Sequence, residues 1–355
     1  MSAPVLIMAG GTGGHIFPGI AVGRELDRRG VPVVWLGGET GLEDRLVPEA
    51  GFALETLAFS GVRGKGLLTL LLAPLRLLRA VFAARAVLRR VRPRSVLSMG
   101  GYAAAPGGIA AWMARVPLVV HEQNRVAGMT NRLLARFARR VLAGFDQVLP
   151  ACEWTGNPVR AEIVALPDPG SRMAQSSAPL RLLVLGGSQG AQSLNSILPQ
   201  VLSRLAASRE LTIRHQCGAR HVQSTREAYA MAFLDADIQP FISDMAAAYA
   251  WADLVVCRAG ALTIAEICAA GVASVLVPFP KAVDDHQTRN AEVLVEAGAA
   301  QLVAEGEGFA ERLHATLDAC LQDRAQLLAM ARSARALARP QATARIADVC
   351  LEVAA

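Results

Sequence analysis

Short runs of β-branched and other apolar residues alternate along this chain with longer helical patterns. The runs are Val5 to Met8, Val31 to Leu36, Ser95 to Met99, Leu118 to Val120, Leu180 to Leu185, Leu254 to Cys257 and Ser274 to Val277. Their alternation with helices predicts βαβ units and parallel sheets. The stretch from Leu166 to Pro179 is rich in Pro, Ser and Gly and falls between two such series, so the inter-domain linker is expected there. The two series share a layout. Val5 to Ala9 leads into GGTGGH (Gly10 to His15), and Leu182 to Leu185 leads into GGSQGA (Gly186 to Ala191), each ahead of a helical stretch. The expected class is therefore α/β, with two Rossmann-like domains whose parallel sheets face an inter-domain cleft, the default ligand site.

Length and composition agree with this outline. A chain of 355 residues suits two domains of ordinary size. With 53% hydrophobic and 19% charged residues, and a mean hydropathy of +0.34, disorder and collagen-like repeats are excluded. The six cysteines form no CxxC pair and have no closely spaced His or Cys partners, which supports neither a zinc site nor a disulfide framework and fits a reducing compartment. The apolar start, Met1 to Ala9, lacks a basic leader and runs into glycines, so it reads as a first strand and not a signal peptide. Ser95 to Ala114 is uncharged, but Gly100, Gly101, Pro106, Gly107 and Gly108 interrupt it, against a spanning helix.

Charge separates the two halves. Residues 1–160 hold 20 basic against 10 acidic side chains, and residues 161–355 hold 16 against 20. Between Glu55 and Glu122 there is no acid, while Arg63, Lys65, Arg76, Arg79, Arg85, Arg89, Arg90, Arg92, Arg94 and Arg115 all lie inside. Lys65 to Arg94 mixes these cations with a dense leucine run. Such an amphipathic element can pack into its own domain, or it can meet anionic lipid headgroups. A nucleic acid partner is disfavoured because the block is leucine-rich and aromatic-poor.

A glycine loop between strand and helix lets backbone N–H groups approach an anion at the positive end of a helix dipole. Neither GGTGGH nor GGSQGA has the register of a nicotinamide-binding GxGxxG or of a P-loop. A third glycine segment, Gly100 to Gly108, is open between a packed helix start and a ligand contact. His121-Glu-Gln-Asn124 follows an apolar run, where polar side chains belong to a site more than to a core. His15 follows the first glycine loop and can act as a general base or serve as a hydrogen-bonded structural residue. Glu266, on the helix after Arg258, can accept both hydroxyl protons of a ribose diol or simply complement the helix start. In Asp284 to Asn290, the adjacent carboxylates diverge on a helix, which speaks against a metal. Helix capping, with sugar hydroxyl recognition by Gln287 and Asn290, is expected instead.

In order along nearly the whole chain, GGTGGHIFPG, GVRGKG, MGGYAAAPGG, HEQN, TGNPVR, GGSQGA, DMAAAYAWADLVVCRAGALTIAE and VPFPKAVDDHQTRNA resemble the MurG family. Its members are UDP-N-acetylglucosamine:N-acetylmuramyl-(pentapeptide) pyrophosphoryl-undecaprenol N-acetylglucosamine transferases. The resemblance implies a GT-B fold. It gives an acceptor and membrane-docking domain over 1–160, a donor-binding domain over 161–339, and a last helix near 340–355 returning to the first. It implies inverting transfer of N-acetylglucosamine from UDP-N-acetylglucosamine to the C4 hydroxyl of lipid I, giving lipid II, with no metal and no cofactor.

Donor contacts carry over onto Thr12, Gly13, Gly14, Asn124, Arg160, Ser188, Ile242, Ala261, Leu262, Thr263, Ile264, Ala265, Glu266, Gln287 and Asn290. His15 is the first choice for the base and Glu122 the second. The partners implied are the donor, lipid I, anionic inner-membrane lipids and other cell-wall synthesis proteins, and the place is the cytoplasmic face of the bacterial inner membrane, held peripherally. Arg125 after HEQN and Lys281, where the family often has a small residue and a histidine, depart locally in the acceptor region. The alternatives are another GT-B enzyme such as a diacylglycerol sugar transferase, a nucleotide-dependent oxidoreductase, or a silent membrane-surface binder.

Overall fold

A computed structural model describes residues 2–39, 41–59, 73–173, 179–187 and 190–354. The segment GVRGKG and Ser188 lie outside them. By contacts the chain divides into two compact units, Met1–Val159 with Arg339–Ala355, and Arg160–Ala338. They are called the first and second units below.

The first unit runs β1 (Val5–Ala9), α1 (Gly13–Arg28), β2 (Val33–Gly38), α2 (Glu43–Glu49), β3 (Ala53–Leu57), α3 (Ala73–Val91), β4 (Ser95–Gly100), α4 (Ala104–Met113), β5 (Leu118–Glu122), α5 (Met129–Leu134), β6 (Arg140–Ala143) and β7 (Glu153–Trp154). The second unit opens with α6 (Ala161–Val164) and α7 (Pro169–Met173). It continues through β8 (Leu180–Leu185), α8 (Gln192–Ala206), β9 (Leu211–Gln216), α9 (Val222–Met231), β10 (Asp237–Gln239), α10 (Met245–Trp251) and β11 (Leu254–Cys257). It ends with α11 (Ala261–Ala270), β12 (Ala273–Leu276), α12 (His286–Glu296), β13 (Ala300–Leu302), α13 (Phe309–Gln322) and α14 (Arg324–Ala336). The chain then returns to the first unit as α15 (Ala342–Glu352).

Both sheets are parallel throughout. Their orders are β3-β2-β1-β4-β5-β6-β7 and β10-β9-β8-β11-β12-β13. In each, the strand order reverses beside the first strand of the unit, at β1/β4 and at β8/β11, where open α/β sheets bind ligands beyond the strand ends. All five residues of β1 are buried because both faces of the sheet are covered. Leu6 and Met8 pack with residues of α3 and α4, while Val5, Ile7 and Ala9 pack with α1 and with Ile346, Ala347, Val349 and Cys350 of α15. The Ser95 hydroxyl donates to the Cys350 carbonyl at 2.7 Å, and Arg345 bridges Glu153 and Glu352. Helix α15 is thus part of the first core.

The structure corrects the expected linker. Leu166 to Pro179 does not join the units: the boundary falls at Val159/Arg160, and α7 inside that run packs on α14 of the second unit. The Arg172 guanidinium holds it there by donating to the carbonyls of Tyr249 at 3.1 Å and Gly271 at 2.7 Å.

Ile346 is fully buried between α1 and the sheet. Replacing Ile346 with alanine is expected to destabilise the protein by about 2–5 kcal/mol in urea unfolding, since the transfer term and the cavity add. A loss well under 1 kcal/mol would mean that α15 contributes little to the first core.

Candidate active site

The first unit's glycine segments meet at the carboxyl ends of β1 and β4. A Cβ on Gly101, whose φ is +91°, would lie 2.3 Å from the Gly10 carbonyl oxygen, so the two loops touch through bare backbone. A side chain that sequence reasoning missed braces them. Glu43, fully buried, accepts from Gly11 N at 3.0 Å, Gly38 N at 3.1 Å and the Tyr102 hydroxyl at 2.9 Å. In sequence it is one acid beside another, Asp44, with nothing to single it out. Thr12 caps α1 by backbone alone, its carbonyl accepting from His15 N and Ile16 N. Gly13 and Gly14 form the first turn, where helix amides lack an intrahelical acceptor and can meet an anion.

His15 sits in that turn, half-buried, with Nδ1 2.9 Å from Gln123 Oε1. Gln123 and His121 are both buried. Gln123 Nε2 lies 3.0 Å from His121 Nδ1 and donates to the His121 carbonyl at 2.9 Å. The other ring nitrogen, His121 Nε2, is 3.0 Å from the Gly156 carbonyl oxygen. Burial pushes the His121 imidazole down to about 4, against the opposing pull of the Gly156 carbonyl and the Glu122 charge, so the ring is neutral at pH 7.

Glu122 points elsewhere. Its Oε1 accepts from Asn124 N at 3.0 Å and Asn124 Nδ2 at 3.3 Å, and its Oε2 from Gly128 N at 3.0 Å and Asn131 Nδ2 at 2.9 Å. Of the two candidate bases, His15 and Glu122, only the carboxylate is enclosed by N–H donors on both oxygens.

In the second unit, Arg160 and Glu266 come together. Arg160 donates to Glu266 Oε1 at 2.8 Å, and the buried Tyr249 hydroxyl donates to Oε2 at 3.1 Å. Burial first, and then the Glu266 charge, raises the Tyr249 phenol well above its ordinary range, so it stays a donor. Tyr249 was not singled out in the sequence because it lies in an alanine-rich helix that reads as core. Ala261, Leu262, Thr263, Ile264 and Ala265 form the first turns of α11, with Gly260 as N-cap, and Ile264 faces the core.

Asn290 is buried and donates to the Ala259 carbonyl at 3.2 Å, fixing the approach to α11, while Gln287 Oε1 accepts from Phe279 N at 2.9 Å. Ile242 is buried in the loop between β10 and α10. The expected capping of α12 takes another form. Asp284 and Asp285 both have positive φ, and Asp285 accepts from the Thr288 hydroxyl at 2.6 Å, with no side-chain bond to a helix N–H. Among the described residues no three His, Cys, Asp or Glu side chains cluster as metal ligands would.

Two all-parallel Rossmann-like units, each with a glycine loop after its first strand, make up a fold of GT-B class. The chain matches the glycosyltransferase family 28 N-terminal domain over residues 5–143 and the C-terminal domain over residues 181–346. It is 59% identical over 350 residues to a protein of Xylella fastidiosa (strain M12), spanning 98% of this chain and 96% of that one. It is also 58% identical over 351 residues to one of Xanthomonas campestris pv. campestris (strain 8004), spanning 99% and 82%. Both carry the name UDP-N-acetylglucosamine--N-acetylmuramyl-(pentapeptide) pyrophosphoryl-undecaprenol N-acetylglucosamine transferase. The crystal structure of Acinetobacter baumannii MurG superimposes with a TM-score of 0.88 at 40% identity, over 99% of this chain and 100% of that one. The chain belongs to glycosyltransferase family 28 and, within it, to the MurG family.

Glu43→Ala is expected to take the acceptor from the buried Gly38 N–H and loosen Gly11, at about 1–3 kcal/mol for the buried donor. A urea-unfolding midpoint close to that of wild type would show that the brace is dispensable.

Proposed function

We propose that this enzyme transfers N-acetylglucosamine from UDP-N-acetylglucosamine to the C4 hydroxyl of lipid I, inverting the anomeric centre and using no metal. What carries the reading is the likeness, over nearly the full chain, to relatives named for transfer between these two partners. In the reaction the acceptor oxygen bonds to the anomeric carbon from the face opposite UDP. The glycosidic C–O bond to the phosphate breaks with its electron pair leaving on UDP, and the hydroxyl proton passes to a base.

His15 is that base in this reading, supported by its place in the first turn of α1 and its single anchored ring nitrogen. Glu122, enclosed by four N–H donors, organises the loop that follows β5 and leaves the proton to His15. Glu266 takes the ribose diol, oriented from either side by Arg160 and Tyr249. Thr12, Gly13, Gly14, Asn124, Ile242, Ala261 to Ala265, Gln287 and Asn290 complete the donor contacts. Ser188, Arg160 and the amide ends of α1 and α11 offset the charge of the departing UDP.

The acceptor's lipid anchor brings the enzyme to a membrane, and helix α3 supports docking at an anionic inner-membrane surface. Ala80, Val81, Ala84, Val87 and Leu88 bury one side of α3, whereas Leu75, Leu78 and Phe82 are 56%, 52% and 57% exposed. Arg76, Arg79 and Arg89 are exposed beside them, and Arg90 is engaged by Glu55. The neighbouring α4 exposes Trp112 and Met113. No helix among the described residues is long and apolar enough to cross a membrane. An amphipathic face with cations at its margin suits a peripheral hold. Leu67 to Leu72 of the basic leucine block lie outside the described residues.

The test is transfer of radiolabel from UDP-N-acetylglucosamine to a lipid I analogue, with and without EDTA. Turnover that survives chelation is expected, and loss restored by magnesium or manganese would overturn the metal-free reading. His15→Ala is expected to lower kcat by about 10²–10⁴-fold with little change in UDP binding, and near-full kcat would remove the imidazole from the chemistry. Glu266→Ala should raise the donor KM by roughly 10- to 100-fold, and kinetics matching wild type would refute the ribose contact.

For docking, co-sedimentation with anionic liposomes should be strong at low salt and fall as salt rises, because the attraction is screened over about a Debye length. Equal binding to neutral and anionic vesicles, or none at low salt, would defeat it.

A further inference from the structure

We infer that Gln123, backed by His121, is a positioning residue that locks His15 with its proton on Nδ1 and leaves Nε2 as the basic nitrogen. The inference rests on the reading of His15 as the base, and it follows from a chain of hydrogen bonds in which each member leaves the next a single choice. It begins at Gly156, whose carbonyl can only accept, so the His121 nitrogen 3.0 Å away, Nε2, carries the proton. In the neutral ring Nδ1 then bears the lone pair.

Gln123 Nε2 faces that lone pair at 3.0 Å and the His121 backbone carbonyl at 2.9 Å. Both are acceptors, so only the NH₂ end of the amide fits there, and turning the amide over would set its oxygen against two others. The orientation of Gln123 is thereby fixed, and the carbonyl of the same residue is held by the Asn157 amide at 2.9 Å. What Gln123 presents to His15, at 2.9 Å from Nδ1, is an oxygen that can only accept. His15 must donate from Nδ1.

Packing holds the ring in the same pose. Gly100, at φ +99°, passes so near that a Cβ there would meet His15 Cε1 at 3.1 Å and Nδ1 at 3.2 Å. A side chain at this position would push the imidazole off Gln123. Among the described residues His15 Nε2 has no hydrogen-bond partner. When the acceptor hydroxyl gives up its proton, Nε2 takes it, and Nδ1–H keeps the same bond to Gln123 in the imidazolium. Nothing in the relay has to turn during the step, which is the condition for a preorganised base.

The experiment reads the tautomer directly. In long-range ¹H–¹⁵N spectra of the full-length enzyme labelled at histidine, His15 is expected to show a protonated Nδ1 and a bare Nε2. Gln123→Met keeps the length of the side chain but offers no strong acceptor, and should move the proton toward Nε2. The same variant should lower kcat by about 10- to 100-fold, with the donor KM within about twofold of wild type. His15 protonated on Nε2 in the wild-type enzyme would overturn the proposal, and that spectrum decides even where the variant fails to fold. An unchanged tautomer in a folded Gln123→Met enzyme would overturn it as well. A shifted tautomer with unchanged kcat would uphold the hold of Gln123 on the ring and defeat the base reading instead, so the two failures are distinct.

Discussion

A carboxylate withdrawn from water needs N–H groups in place of the solvent it loses. Glu122, at the end of β5, draws these from Asn124, Gly128 and Asn131, so a single side chain sets the path of the loop from strand to helix α5. Its neighbours on either side, His121 and Gln123, are fixed by the same path. Their buried side chains bond each other, the Gly156 carbonyl and His15, while Asn131 and Asn157 donate to the carbonyls of His121 and Gln123. The geometry of the first unit's candidate site therefore depends on how this one carboxylate is enclosed. Half-satisfied, such a network would cost more than an apolar core; complete, it specifies one arrangement.

The second unit meets the same constraint with different residues. His215, buried in its sheet, lies 2.9 Å from Asn195 Oδ1 and 3.1 Å from the Tyr229 hydroxyl, and Asn195 donates onward to the Cys217 carbonyl at 3.0 Å. That chain ends where Gly190 crosses beneath the same carbonyl, since a Cβ on Gly190 would stand 2.3 Å from it. In both units a buried histidine and an amide side chain tie a strand end to a backbone carbonyl. Glu43 does the equivalent for Gly11 and Gly38. A glycine loop has no side chains of its own to hold it, so its shape is imposed from outside.

The central strands were legible in the sequence because a parallel strand covered on both faces is mostly apolar and short of charge, as β1, β4, β8 and β11 are. Strands β3, β6, β7, β9, β10 and β13 were not. They lie at or next to the sheet margins, and runs such as Glu153–Trp154 and Asp237–Gln239 carry too few buried positions to stand out. Among site residues, His15 and Glu266 were readable as polar groups after a glycine loop or in the first turns of a helix, and Arg160 came only with the resemblance carried by TGNPVR. Gln123 was readable only as one of the four polar residues after the apolar run of β5, and Tyr249 not at all, because what distinguishes them is a bond to a residue elsewhere in the chain, His15 and Glu266 respectively. Spacing along a chain reports local geometry and is silent about which residue of another element, 17 or 108 positions away, a side chain will meet.

The return of α15 to the first unit bears on how a ribosome delivers this protein. Residues 1–159 emerge first, yet one face of their sheet lacks Ile346, Ala347, Val349 and Cys350 until the end of the chain has been made. At an elongation rate of about 5–20 residues per second the whole of the second unit intervenes for on the order of ten seconds or more. Throughout that interval the apolar flank of β1 and α1 waits uncovered, while residues 160–338, contiguous in sequence, can close their own core. The unit translated first is therefore the one completed last.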